Sequence, residues 1–217
     1  MDIATILLEL GQGMLTTIQI FVLTLVFSLP LGFLIYFGRV SKNPVLSWIM
    51  RIYIAIMRGT PLMLQLIVIY FGPYYIFGVS TTPAYRGIAV IIAFSLNYAA
   101  YFAEIYRSGF GSIPQGQYEA AEVLGYSKSR TFFAIVLPQV WKRILPSITN
   151  EVITLVKDTS LSFSIAYAEM FTEAKALSAA VHNVGPLMAA GVFYFIFNAV
   201  VAWIMARIEK SMSYYSI

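Results

Sequence analysis

The 217 residues contain no cysteine and a single histidine, His182. The first absence excludes disulfide scaffolds, thiolate metal sites and cysteine nucleophiles. The second leaves no pair of histidines at ligand spacing, so a metal site is not expected and His182 is given no role. Charge is scarce as well. Asp, Glu, Lys and Arg make up 11% of the chain against 59% hydrophobic residues, and the mean hydropathy is +0.78, a balance foreign to soluble domains. Nowhere does G-x-x-x-x-G-K-[ST] occur, so the chain does not hold ATP by a phosphate loop and is expected to bind no cofactor of its own.

What is present is long apolar runs. They place spans at 12 to 38, 60 to 78, 86 to 107, 140 to 166 and 186 to 206, each close to the roughly 20 helical residues that cross hydrocarbon. The start, "MDIATILLEL", has no Lys or Arg, so the first run is expected to stay as an anchor and not to be cleaved. Five crossings put the termini on opposite sides. With the N-terminus outside, eleven of the fourteen lysines and arginines lie on or near the cytoplasmic face, as the positive-inside rule requires. The expected fold is therefore an all-α integral membrane protein of five transmembrane helices, N-terminus outside and C-terminus cytoplasmic, forming one domain over 1–217. The net charge of +4 then reflects topology and gives no reason to expect nucleic acid as a partner.

Two stretches are not simple spans. Residues 43 to 58 carry Arg51 and Arg58 seven apart in an apolar background, which predicts an interfacial helix snorkelling both toward the headgroups, with a tilted extension of the second span as the alternative. Residues 167 to 185 predict an outer loop holding a short amphipathic helix. Tyr214 and Tyr215 are expected to anchor the C-terminus at the interface.

Between the third and fourth spans sits a polar island, "GQYEAAEVLGYSKSRTFFAIVLPQ". Pro114 predicts the first position of a short helix, Gly125 its left-handed stop, Ser127 the cap of a second helix, and Pro138 an interruption. Ala120, Ala121 and Leu124 form a narrow apolar strip flanked by Gln117, Tyr118, Glu119 and Glu122, a docking surface for a soluble partner. Glu119 is expected to face that partner or to cap its own helix. Along the spans, polar residues fall into two stripes, Asn97, Tyr101 and Glu104 on the third and Glu151, Thr154, Asp158 and Ser162 on the fourth. Ionisable groups inside spans point to function. Run antiparallel, the stripes bring Asn97 level with Asp158 and Glu104 level with Glu151. The carboxylates suit an ammonium ion, and Thr159, Ser160 and Ser162 offer hydroxyl donors to a carboxylate. Tyr98 is a further candidate for the path, and Glu104 and Arg107 form an i, i+3 pair that also reads as a simple headgroup-level bridge.

The pattern E-A-A, three residues, G, nine residues, I-x-L-P is matched by Glu119, Ala120, Ala121, Gly125, Ile135, Leu137 and Pro138. It resembles the cytoplasmic loop of the membrane subunits of bacterial ABC importers. "MRGTPLMLQL", "AAYFAEIYRSGFGSIPQGQ" and "LVKDTSL" are similar to the polar amino acid branch, the histidine, arginine and glutamine permeases. The resemblance implies a pair of five-helix permease subunits in the bacterial inner membrane, homodimer or paralogue pair. It also implies two ATP-binding subunits, which carry ATP and Mg and grip loop 112–138 at Gln117, Glu119, Ala120, Ala121 and Gly125, and an external solute-binding protein. The substrate is then an amino acid, tilted toward arginine, lysine or histidine by Glu151 and Asp158, with glutamine open. A secondary transporter or channel is the alternative, but an internal repeat is not found. An intramembrane enzyme would have only Glu151 with Asp158 to work with.

Overall fold

The computed structural model describes residues 2–212, and among these every regular element is helical. Tyr214 and Tyr215 lie outside the described residues. In chain order the helices are α1 (Ile3–Arg39), α2 (Pro44–Gly59), α3 (Leu62–Phe77), α4 (Pro83–Gly111), α5 (Gln115–Val123), α6 (Lys128–Arg130), α7 (Leu137–Asp158), α8 (Met170–Val181) and α9 (Gly185–Ser211). Helices α1, α4 and α9 are long and apolar enough to cross a membrane, and α2 with α3 would add a fourth span if that bent pair is counted as one. Helix α7 follows the expected fourth span but is rich in charge, with Lys142, Arg143, Glu151, Lys157 and Asp158.

Helix α1 packs along α4, where Gly32 meets Ala99 and Phe102 so closely that a Cβ there would sit 2.8 Å from the Phe102 Cβ and 2.9 Å from the Ala99 carbonyl oxygen. Small residues at such crossings let backbones approach where lipid gives no hydrophobic drive. The main core, with Leu66, Phe94, Tyr98, Phe102, Val140 and Leu155, fills the space between α1, α3, α4 and α7.

Helices α2 and α3 meet at 109°, so α2 is a separate helix and not a tilted extension of α3. Pro61 causes the corner. It forces Thr60 into extended backbone (φ −123°, ψ 148°) and removes the N–H that would have bonded the Met57 carbonyl. Two amides take its place: Gln65 Nε2 donates to Met57 O at 3.0 Å, and so does Asn97 Nδ2 at 3.0 Å. Gln65 also donates to the Thr60 carbonyl and hydroxyl at 3.1 and 2.8 Å, and its own Oε1 accepts from Asn97 at 2.9 Å.

The segment between α7 and α9 contains its expected helix, α8. Its cap is Glu169, fully buried (0% exposed), which accepts from the Phe171 and Thr172 N–H groups at 2.9 and 2.8 Å. The same carboxylate accepts from Thr17 of α1 at 3.3 Å and Tyr194 of α9 at 2.9 Å, so one side chain ties three helices. Burial pushes the Glu169 carboxyl above the usual carboxylate range, and these hydrogen bonds offset part of that rise.

Candidate functional site

The polar island folds as a projecting hairpin of short helices. Helix α5 begins one residue later than its sequence predicts, because Pro114 takes the cap position in extended backbone (φ −60°, ψ 140°) with no side-chain cap bond. Glu119 therefore does not cap its helix. Gly125 adopts φ +71°, the left-handed stop, and the Ser127 hydroxyl accepts from the Arg130 N–H at 3.2 Å, as expected of a cap. Of the apolar strip only Ala121 is buried. Ala120 faces solvent together with Glu119, Gln117 and Leu124, and Val123 is 88% exposed.

Pro138 does not interrupt the chain that follows. Residues Thr131–Val136 form a π-helical turn, in which the Leu137 N–H reaches back five residues to Phe132 O. The wider turn admits the pyrrolidine ring, so the helix continues from Lys128 through Asp158. This makes the hairpin stiffly continuous with α7. Phe132 stacks on Phe110 of α4 (5.6 Å, 7°) and Phe110 on Tyr36 of α1 (5.0 Å, 9°). Gln139 of α7 donates to Gln117 of α5 at 3.4 Å, and Arg143 bonds the Ser112 carbonyl.

Helices α4 and α7 enclose an open cleft of about 380 Å³ lined by Arg58, Tyr101, Glu104, Ser108, Ser147 and Glu151, among others. Glu104 and Glu151 thus share one cavity, as the antiparallel stripes predict. Glu104 also holds two guanidiniums, those of Arg107 (2.6 Å) and Arg39, so the i, i+3 bridge exists and is joined by a residue from α1. Arg58 does not snorkel outward with Arg51; it lies over the Tyr101 ring at 5.3 Å and enters the cleft.

The partner of Asp158 is not Asn97. The Tyr98 hydroxyl donates to Asp158 Oδ2 at 2.7 Å, while Asn97, one residue earlier and 4% exposed, turns to the α2–α3 corner. The hydroxyls expected to offer donors to a substrate are spent locally, Thr159 on Val156 O, Ser160 on Lys157 O and Ser162 on Thr159 O at 2.8, 2.7 and 2.6 Å, and so is that of the stripe residue Thr154, on Asn150 O at 2.9 Å. Ser162 is also fully buried, because the chain tightens to a 3-10 helix at Thr159–Ile165 and rotates it off the α7 face. Glu151 and Asp158 stay two turns apart on α7. Sequence reasoning missed Arg39, Arg58 and Gln65 as parts of this region. Only the closeness of Gln65 to Pro61 could have signalled its role.

Set beside known proteins, residues 28–214 match the family of binding-protein-dependent transport system inner membrane components. The chain is 35% identical over 202 residues to GlnP of Rickettsia conorii, a protein named for glutamine transport, covering 93% of this chain and 91% of that one. It is 34% identical, with the same coverage, to the arginine transport system permease protein ArtQ of Bacillus subtilis. Among solved structures, an amino acid ABC transporter crystallised with histidines superposes with a TM-score of 0.86 at 26% identity, over 97% of this chain and 99% of that one. The chain belongs to the family of inner membrane components of binding-protein-dependent transport systems.

Proposed function

We propose that the chain is the permease subunit of an ATP-driven importer of polar amino acids, and that arginine, lysine or histidine is its substrate class. In this reading α1, α3, α4, α7 with its 3-10 extension, and α9 are five crossings of the bacterial cytoplasmic membrane, with the N-terminus outside. Two such subunits, identical or paralogous, line the path. Two ATP-binding subunits bind ATP and Mg and engage α5, and an external solute-binding protein delivers the amino acid. The observation that carries the reading is α5 itself, a helix projecting from the bundle with Val123 and Leu124 exposed in a chain without a phosphate loop.

The geometry supports a coupling route. Helix α5 is tied to α7 through Gln117 and Gln139, and α7 carries Glu151 and Asp158. Closure of the ATP-binding pair would move α5 and α7 together, and with them the carboxylates, between inward-open and outward-open arrangements. Asp158, held by Tyr98, is the group for the α-ammonium, and Glu151 with Glu104 in the cleft meets a cationic side chain. Tyr101 lines the same cavity. The donors for the substrate carboxylate are better sought in Arg58 than in the locally bonded hydroxyls. Co-expression with the ATP-binding subunit of a related importer, followed by affinity purification through the permease, tests the reading. ATP-dependent uptake of a basic amino acid by the purified complex in proteoliposomes is the expected result. Uptake that persists without any ATP-binding subunit would overturn it in favour of a secondary transporter.

A further inference from the structure

At the corner between α1 and α2, separated from the α4–α7 cleft by Glu104 and its two arginines, lies a second cavity of about 430 Å³ lined by Arg39, Val40, Ser41, Ser47, Arg51 and Arg107. Three guanidiniums converge there. Arg39 and Arg107 share the single carboxylate of Glu104, and Arg51 is exposed with no acidic partner among the described residues. Three positive charges against one negative leave an excess of two. Ser47 is committed to the Arg39 carbonyl at 2.7 Å, which fixes the corner, while the Ser41 hydroxyl oxygen accepts from the Asn43 N–H at 3.2 Å and keeps its proton for an outside acceptor. A site of this kind, with planar donors around a cavity, fits a phosphate group.

The helix that supplies Arg51 says which phosphate. Along α2, Val45, Trp48, Ile49, Ile52 and Ile56 are all exposed large apolar residues, spaced at i, i+3, i+4, i+7 and i+11, so they form one stripe. A soluble phosphate has no use for such a stripe, whereas acyl chains do, and a tryptophan at its start suits the headgroup boundary. We infer that the Arg39–Arg51–Arg107 cavity binds the phosphodiester headgroup of an anionic phospholipid, with its acyl chains along the apolar stripe of α2. The site rests on the chain being a membrane component and, for the leaflet it serves, on the orientation proposed above, which puts it on the cytoplasmic side where anionic lipid attracts basic clusters. Its second consequence lies at Glu104. A headgroup drawing on Arg39 and Arg107 competes with that carboxylate for them, which links lipid occupancy to the charge Glu104 presents to the α4–α7 cleft.

Trp48 supplies the probe. The chain has three tryptophans, and Trp141→Phe with Trp203→Phe leaves Trp48 as its only one; with the tryptophans of the other subunits likewise replaced by phenylalanine, selective tryptophan excitation reports Trp48 alone. The permease–ATPase complex would be reconstituted in nanodiscs of phosphatidylcholine containing increasing fractions of brominated phosphatidylglycerol or brominated phosphatidylcholine, and Trp48 quenching measured. Half-quenching should need about thirtyfold less brominated phosphatidylglycerol than brominated phosphatidylcholine, the factor for an excess of two positive charges beside an anionic headgroup. Arg51→Gln should cut that preference about fivefold and leave quenching by brominated phosphatidylcholine unchanged. Equal quenching by the two lipids in the parent, or a preference undiminished by Arg51→Gln, would overturn the site. If millimolar inorganic phosphate displaces brominated phosphatidylglycerol as well as unlabelled phosphatidylglycerol does, the cavity takes free phosphate and the lipid assignment fails. Amino acid uptake by the same complex in phosphatidylcholine vesicles reports the transport reading separately, so loss of one result does not imply loss of the other.

Discussion

Replacing Asn97 with leucine tests whether this residue holds the α2–α3 corner or faces the substrate. Leucine repeats the branched shape of the asparagine side chain, so the change removes the hydrogen bonds while keeping a side chain of that shape, somewhat bulkier, at the site. Asn97 Nδ2 makes two such bonds, to Met57 O at 3.0 Å and Gln65 Oε1 at 2.9 Å. Side-chain bonds between helices in membranes average about 0.6 kcal/mol and reach about 1.7, so the pair contributes roughly 1–3 kcal/mol. At about 2–4 °C per kcal/mol for a chain of this size, the melting midpoint of the purified permease in detergent should fall by roughly 2–12 °C. Gln65→Leu should cost more, since it strips three further bonds at the same corner. Because the Asn97–Gln65 bond is lost in either single variant, the double variant should be less destabilised than the sum by about 0.5–1 kcal/mol. Strict additivity, or an unchanged midpoint in Asn97→Leu accompanied by a raised KM for the amino acid, would refute the corner assignment and return Asn97 to the substrate path.

Gly125→Asp should lower the midpoint of the permease by only about 2–4 °C, since nothing crowds its added Cβ within 4 Å and the cost is about 1 kcal/mol for a left-handed aspartate, which also shifts the exit from α5. Recovery of ATP-binding subunits in an affinity purification should drop several-fold, and more than for Glu119→Gln. Gly32→Leu should abolish folded protein in the membrane fraction, judged by size-exclusion recovery, because its Cβ meets backbone as well as side-chain atoms of α4. Val123→Asp should weaken ATPase recovery without lowering the melting midpoint, as Val123 is 88% exposed.

Much of the helix plan was legible because it is written in local chemistry. The apolar runs marked α1, α3, α4 and α9 to within a few residues apart from the extra turns at the start of α1, and Gly125 and Ser127 announced a left-handed stop and a cap through backbone demands that hold in any surroundings. Where reading failed, the deciding partner was distant in sequence. Pro138 looked like a break because the π-helical turn that accommodates it is a property of the whole segment from Thr131. Asn97 looked like part of a stripe because helical spacing gives its angular position but not which neighbour answers it, and the answer was a carbonyl left bare by Pro61. Arg39 and Arg58 carry no local signal for their ends on Glu104 and Tyr101; only the packing of α1 and α2 against α4 brings them there. The pairing of Glu104 with Glu151 across one cleft was legible, since antiparallel stripes on adjacent helices have few other registers.

The most direct measurement is uptake by the Asp158→Asn variant. The complex of permease and ATP-binding subunits is reconstituted in proteoliposomes, and accumulation of radiolabelled arginine is compared with ATP hydrolysis in the same vesicles. The substitution keeps size and the Tyr98 hydrogen bond at 2.7 Å while removing the charge that meets the α-ammonium, a charge-assisted bond of about 1.5–3 kcal/mol. Arginine uptake should fall at least tenfold with the ATP-binding subunits still recovered at wild-type stoichiometry. Glu151→Gln should then reduce uptake of arginine and lysine more than that of glutamine. Wild-type arginine uptake in Asp158→Asn would show that this face of α7 packs against protein and does not line the path.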